Sequence, residues 1–344
     1  MILNISSFII ILGLDHLTAN VVSVALIGSG HWGQNLARVF SELGSLAAIC
    51  DVDEVRGQEI ADKCSVPFRD IESILDDEKI DAIVIASPAV THFEIAKRAL
   101  NAGKHAFVEK PLALDSNEAN ELCELAEERA LILMVGHLMQ YHPAFLKLCE
   151  MCESGRLGRI RHVYSNRLNF GRFRTEENIL WSFAPHDISM ILKIIDDEPI
   201  SVSAFGHALT SNGIQDMTTT NMEFSNGAFA HVYVSWLHPF KEQRFVVVGE
   251  NAMAVLDDGQ DWPEKLAIYD HNVEWSGSLN SAHQLSPEWV HVDAAEPLKI
   301  EAQHFIDSVT YKTEPKTNGW EGLRVLKVLN KAQQSLDAGA VKIK

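Results

Sequence analysis

Val24-Ala-Leu-Ile-Gly28-Ser-Gly30-His-Trp-Gly33-Gln-Asn decides how this chain folds. A short apolar run ends at Gly28, and the three glycines keep G-x-G-x-x-G spacing. Asp51 stands 18 positions past the last glycine, at the end of a second apolar run from Leu46 to Cys50. That layout is a strand, a tight turn, a helix N-terminus and a second strand, the fingerprint of a dinucleotide site. Gly28 permits the turn, Gly30 lets the backbone approach a pyrophosphate, and Gly33 lets helix and strand pack closely. The helix opening near His31 turns free N–H groups and the positive end of its dipole toward phosphate. Ser29, His31 and Trp32 belong to the same turn and are expected to contact the cofactor. A carboxylate at Asp51 accepts from ribose hydroxyls and repels a 2′-phosphate. Asp53 adds negative charge and no Arg follows at once, so NAD is favoured over NADP.

Strand-like and helix-like segments alternate through the first 136 residues. The expected strands are 21–27, 46–50, 82–86, 105–108 and 131–135. The expected helices are 31–43, 54–64, 71–75, 91–102 and 115–129, the last capped by Asp115. Such alternation specifies a doubly wound parallel sheet with helices on both faces, a Rossmann domain. After residue 150 the texture changes. A strand at 160–169 and a helix at 185–195 precede five period-2 segments, at 201–209, 218–224, 228–236, 244–249 and 252–256. These specify an α+β domain with a large, mostly antiparallel open sheet. Helices at 297–311 and 320–336 close the chain. The expected division is an extension over 1–20, the Rossmann domain over 21–140, the α+β domain over 141–318, and a C-terminal helix over 319–344 that packs back on the first domain and, through the apolar stripe Leu323, Leu326, Leu329 and Ala332, across both.

Composition narrows the function. With 344 residues and 47% hydrophobic content there is material for two cores. A net charge of −18 argues against nucleic acid or an anionic membrane surface as partner. No apolar run reaches the roughly 18 residues of a bilayer span. The N-terminal candidate, Phe8 to Leu14, lacks the basic flank and cleavage site of a signal peptide. Five cysteines, an odd number, fit reduced thiols in the cytoplasm. Cys149 and Cys152 have the spacing of half a zinc site, but no second pair exists, so no metal is expected.

Three further stretches carry chemistry. Ala86-Ser-Pro-Ala-Val-Thr-His92 ends one strand and opens a helix, which places Ser87, Pro88 and His92 on the wall of the ligand crevice. Glu109-Lys110-Pro111 follows the next strand at its carboxyl end. A Lys fixed by a rigid turn beside an oxidised nicotinamide has its ammonium disfavoured by like charge and desolvation, and it can then assist loss of an alcohol proton. By spacing alone it reads equally as a surface Lys paired with Glu109. In Trp181-Ser-Phe-Ala-Pro185-His186-Asp187, Pro185 suits a first helical turn and sets His186 near the helix N-terminus, as a general acid/base. Finally, six of the thirteen arginines (156, 159, 161, 167, 172 and 174) fall within 19 residues that contain no Asp or Glu. Arg grips phosphate with a bidentate fork, so this patch suits a diphosphate-bearing substrate.

The glycine loop, Asp51, Glu109-Lys110-Pro111, His186 and the ending Gly319-Trp-Glu-Gly-Leu-Arg-Val-Leu together resemble the Gfo/Idh/MocA oxidoreductases, over about residues 21 to 338. Gly136-His-Leu-Met-Gln-Tyr141-His-Pro-Ala and the stretch from Ser165 to Asp187 look like that family's nucleotide-sugar 3-dehydrogenase branch. The resemblance implies NAD-dependent oxidation of the C3 hydroxyl of a UDP-linked N-acetylated sugar. The keto product would go to a pyridoxal-phosphate aminotransferase, toward a 2,3-diamino sugar of lipid A or a related glycan. It also implies a homo-oligomer, dimer or tetramer, built on the open sheet. Catalysis falls to Lys110 and His186. Arg167, Arg172 and Arg174 are candidates for the diphosphate or acetamido group, and Tyr141 and Asn169 for sugar hydroxyls. One departure weakens a Lys–Asp–His triad: the family's frequent Asp four residues before the His is Ser182 here, and Ser is no carboxylate base. The other readings are the C6-oxidised UDP-sugar, an inositol or simple-sugar dehydrogenase, and a non-catalytic NAD-binding regulator.

Overall fold

The computed structural model describes residues 21–171, 173–174, 177–210, 213–271 and 286–344. The expected 1–20 extension and Arg172 lie outside these residues. The chain first builds β1 (Val24–Ile27), α1 (Gly33–Glu42), β2 (Leu46–Cys50), α2 (Glu54–Cys64), α3 (Ile71–Leu75), β3 (Ala82–Ile85), α4 (His92–Asn101), β4 (His105–Glu109), α5 (Ser116–Glu128) and β5 (Leu133–Gly136). The five strands form one parallel sheet in the order β2-β1-β3-β4-β5. Successive residues of β1 supply opposite cores: Ala25 and Ile27 on one face, Val24 and Leu26 on the other. Both faces are therefore covered by helices, and these strands read as unbroken apolar runs.

The second half contributes α6 (Pro143–Glu153), β6 (Ile160–Phe170), α7 (Ile179–Ile195), β7 (Pro199–His207), β8 (Met217–Phe224), β9 (Phe229–Ser235), β10 (Leu237–Gly249), β11 (Ala252–Asp257), β12 (Leu266–Asp270), β13 (Glu288–Trp289), α8 (Pro297–Tyr311) and α9 (Gly319–Asp337). Eight strands form a sheet in the order β13-β12-β11-β10-β6-β9-β8-β7. Every pairing is antiparallel except β6 with β9. Alternation of buried and half-exposed residues along β8 and β9 leaves one face on α7 and α9 and the other uncovered.

One helix departs from the expected division at 318, while the last one bridges the two layers as its apolar stripe implies. α8 packs on the first sheet, with Phe305 edge-on to Phe107 and Phe40 at centroid distances of 5.6 and 6.4 Å. α9 touches both layers. Leu323 and Leu326 enter the first core, while Val325, Val328, Leu329 and Ala332 enter the second. A second departure concerns α7, which begins at Ile179, not Pro185. Asn178 caps it by accepting from the Trp181 N–H at 3.3 Å. Pro185 is thus interior and His186 lies mid-helix. A proline there cannot donate to the Trp181 carbonyl, which loosens that turn.

Candidate active site

The glycine turn has the geometry its spacing implies. Gly28 has φ +94°, in the left-handed region, and a Cβ on it would lie 2.6 Å from the Ser87 nitrogen. A Cβ on Gly33 would lie 2.0 Å from the Gly28 oxygen, so helix and strand meet only because both side chains are absent. Beside Gly30 a Cβ would meet nothing within 4 Å. The turn is closed by the outer glycines and open at the middle one, a cradle that fits a dinucleotide pyrophosphate.

Asp51 follows β2 and reaches back to this turn. Its carboxylate accepts from the Ser29 N–H at 2.6 Å, the Ser29 hydroxyl at 2.7 Å and the Asp53 N–H at 2.8 Å. Arg56 donates to it at 2.6 Å and pairs with Asp53 at 3.1 Å. Burial opposes ionisation of Asp51, but Arg56 and these donors outweigh it and hold the carboxyl down at about 2. Two expectations change. Ser29 is fully buried with both donors spent on Asp51, so it orients the acid and does not reach the cofactor. An Arg does follow within reach, five positions on, because the first turn of α2 brings Arg56 back over the end of β2.

From this turn a cleft of about 940 Å³ opens between the domains. One wall carries His31, Trp32, Ser87, Pro88, His92, Glu109, Lys110 and Pro111; the other carries Arg174, Glu177, Asn178, Trp181, His186 and Gln333. His92 is a brace and not a free contact, since Nδ1 lies 2.7 Å from the Pro111 carbonyl and Nε2 2.9 Å from that of Ser87. It ties the two loops of the Rossmann wall together, across the cis Lys110–Pro111 peptide. Glu109 accepts from the Trp32 indole N–H and from the Lys110 N–H. Burial nevertheless pushes its carboxyl up to about 7.

Lys110 and His186 open into the same cleft from opposite walls. Lys110 Nζ donates across the domain boundary to the Ser182 carbonyl at 3.0 Å, in the turn that Pro185 interrupts. Burial lowers the proton affinity of the amine, and Glu177 and Glu109 oppose that fall. His186 Nδ1 is buried with no hydrogen-bond partner among the described residues. Burial foremost, then the Lys110, Arg167 and His137 charges, hold its pKa well below the ordinary value. The imidazole is therefore neutral at physiological pH, an acceptor beside a cationic donor. The Ser182 hydroxyl is likewise buried without a partner among the described residues.

Other expected site residues are elsewhere. Tyr141 is fully buried, its hydroxyl 3.0 Å from that of Thr317, so it cannot touch a sugar in this cleft. Arg167 grips Asp187 at 2.7 and 3.0 Å and is spent as an internal ion pair. Ser165 donates to the same carboxylate at 2.7 Å, which turns Asp187 away from His186. Asn169 is not among the residues that line the cleft. The arginine patch is largely dispersed as well. Arg156 pairs with Asp270, Arg161 with Glu250, and Arg159 donates to the Asn226 carbonyl. An extended strand rises about 3.3 Å per residue, which sets Arg161 and Arg167 roughly 20 Å apart along β6, so sequence proximity did not make a spatial cluster. Of the five that are described, Arg174 alone lines the cleft. Sequence reasoning passed over Glu177, Asn178, Trp181 and Gln333. Gln333 Oε1 accepts from Asn178 at 2.9 Å and from the Trp181 indole at 3.0 Å, joining α9 to the cleft from more than 150 residues away. It also passed over His137, whose ring meets Glu321 beneath the site, while Glu321 accepts from Gln140 and Ser189 at 2.7 and 2.8 Å.

Comparison with known proteins agrees with this arrangement. Residues 22–137 match the model of an oxidoreductase family with an NAD-binding Rossmann fold, and residues 145–255 match the Gfo/Idh/MocA C-terminal domain. The UDP-N-acetylglucosamine 3-dehydrogenase of Acidithiobacillus ferrooxidans is 27% identical over 316 residues, 91% of this chain and 96% of the relative. Its solved structure superposes with a TM-score of 0.83, covering 92% of this chain and 98% of that one. The inositol 2-dehydrogenase of Salmonella typhimurium is 23% identical over 342 residues, 95% of this chain and 96% of the relative. This chain belongs to the Gfo/Idh/MocA family of NAD-binding oxidoreductases.

Proposed function

We propose that this protein oxidises the C3 hydroxyl of a UDP-linked N-acetylated sugar, UDP-N-acetylglucosamine in the first instance. The observation that carries the reading is the pairing of Lys110 and His186 across one cleft that begins at the dinucleotide turn. The residues that would hold NAD are the backbone around Gly30, the Asp51 carboxylate, and the wall formed by Trp32, Ser87, Pro88 and Glu109. NAD, when bound there, supplies the hydride acceptor. His186, kept neutral by its surroundings, takes the proton of the sugar hydroxyl. Lys110 donates a hydrogen bond to the developing alkoxide and steadies its charge. Its tether to the Ser182 carbonyl holds the amine in place without a carboxylate at position 182.

Arg174 supports the diphosphate. It is half-exposed and lines the substrate wall. The 27% identity to a UDP-N-acetylglucosamine 3-dehydrogenase over most of both chains points to the same substrate class. A 3-keto sugar product suits a pyridoxal-phosphate aminotransferase as the next enzyme. The uncovered face of the large sheet suits a second copy of the chain. His162, Tyr164, Phe229 and His231 form a half-exposed aromatic cluster there, with Tyr164 stacked on His231 at 5.3 Å. Among the described residues no helix is long and apolar enough to cross a membrane.

The deciding assay follows NADH absorbance with NAD and a panel of UDP-sugars, free sugars and inositols. Reduction with UDP-N-acetylglucosamine and none with inositol supports the reading. Turnover of inositol or a free sugar with no response to any UDP-sugar refutes it, and NAD binding without turnover of any substrate makes the protein a regulator.

A further inference from the structure

The substrate wall holds a charge pair of which the reading above uses only the Arg174 half. Arg174 Nη1 and Glu177 Oε1 are 3.0 Å apart, three residues apart in sequence, and both line the cleft. Arg174 leaves 54% of its side chain exposed and Glu177 25%, so the pair faces the open cleft. Lys110 has no ion pair among the described residues; its amine rests on a neutral carbonyl. Resting on the nucleotide-sugar reading, we propose that Arg174 and Glu177 form a latch: a nucleotide diphosphate draws Arg174 off Glu177 and hands the Glu177 carboxylate to Lys110.

The charges in the cleft favour this exchange. Arg174 is the one arginine among the described residues that line it, and a diphosphate offers Arg a stronger bidentate partner than a single exposed carboxylate does. Removing Arg174 leaves Glu177 without its counter-charge in a partly dry site. Lys110 is the remaining Lys or Arg on the described walls. The two members of the latch already act on that amine in opposite senses. Glu177 favours its charged form more than any other carboxylate does, and Arg174 disfavours it. With the latch shut these influences oppose each other. With the latch open only the favourable one remains. A sugar without a diphosphate leaves the latch shut and the amine without its carboxylate, so substrate class and readiness of the donor are coupled.

The test needs no turnover. The full chain is acetylated with acetic anhydride across a pH series, with and without UDP, and the midpoint for Lys110 is read by mass spectrometry. UDP should raise the midpoint by about one pH unit, the usual scale for a neighbouring charge. In Glu177→Gln, UDP still binds by calorimetry but most of the shift is lost, and Glu177→Asp restores part of it. In Arg174→Ala the midpoint without UDP is already raised. Thermal melts confirm that each variant is folded. The latch is refuted if UDP binds yet the midpoint stays put, if it moves equally in Glu177→Gln, or if Arg174→Ala leaves it unchanged. Failure of UDP to bind the unmodified protein refutes both the latch and the nucleotide-sugar reading, so the two failures are told apart.

Discussion

At the scale of single residues, burial without compensation is what marks this site. Desolvation presses both Lys110 and His186 toward their neutral forms, and the Lys110 charge adds to the fall at His186. Lys110→Ala should abolish turnover while NAD still binds, as read by NADH assay and by calorimetry. His186→Ala should lower kcat about 100-fold or more, the scale of a lost general base. Near-normal turnover in either variant would remove that residue from the mechanism. A second buried group lies outside the chemistry. Glu301 on α8 is fully buried, and neither carboxyl oxygen has a partner among the described residues. Burial, then the nearby Glu109 charge, raises its pKa well above the ordinary 4.5. The folded chain therefore holds a proton that the unfolded chain releases as pH rises past 4.5. Stability contributed at low pH is lost as pH climbs through that window. Glu301→Gln, which needs no proton, should raise the melting temperature by a few degrees at pH 8 and change it little at pH 4. Equal effects at both pH values would mean that Glu301 is ionised in the folded protein.

At the scale of elements, α7 is the piece on which the site depends. It carries Ser182, whose carbonyl meets Lys110, and His186 one turn later. Its start is set by Asn178, which caps the helix and also donates to Gln215 at 3.1 Å and Gln333 at 2.9 Å. Asn178→Ala should cost about 1–2 kcal/mol, the range of a lost N-cap, measured by denaturant unfolding. Because the cap also fixes where α7 enters the cleft, kcat should fall with it; full activity at reduced stability would mean that α9 alone positions the helix. Pro185 shows how an element boundary escapes sequence reading. Proline is welcome in a first turn, which is where the pattern placed it. The helix instead starts six residues earlier, because Asn178 and the apolar pair Ile179–Leu180 outweigh one missing hydrogen bond.

At the scale of the whole molecule, the cleft exists because α9 packs on both layers and fixes one against the other. The uncovered sheet face has the opposite character. Its aromatic cluster of His162, Tyr164, Phe229 and His231 lies beside Arg244, whose charge is paired with Asp257 at 2.9 Å, while Glu223 pairs with Lys342. The protein should sediment as a dimer or tetramer. Tyr164→Glu, which places a charge at the centre of the cluster, should shift it to monomer with little change in melting temperature. A monomeric unmodified protein, or a variant that stays assembled, would exclude this face as the contact.

The sequence by itself determined the two sheets and the dinucleotide turn, and it singled out the two groups proposed for the chemistry. Each of those signals is local: glycine spacing answers to backbone sterics, and apolar periodicity answers to which face is buried. Even strand ends such as Leu46–Cys50 and helix ends such as Glu54–Cys64 came out in register for that reason. Only the tertiary structure decided which neighbours each side chain meets. It gave Arg167 to Asp187, Tyr141 to Thr317 and Ser29 to Asp51, and brought Glu177 and Gln333 into the cleft. A buried polar group takes whichever partner satisfies it inside the packed fold, and the spacing of residues along the chain does not encode that choice.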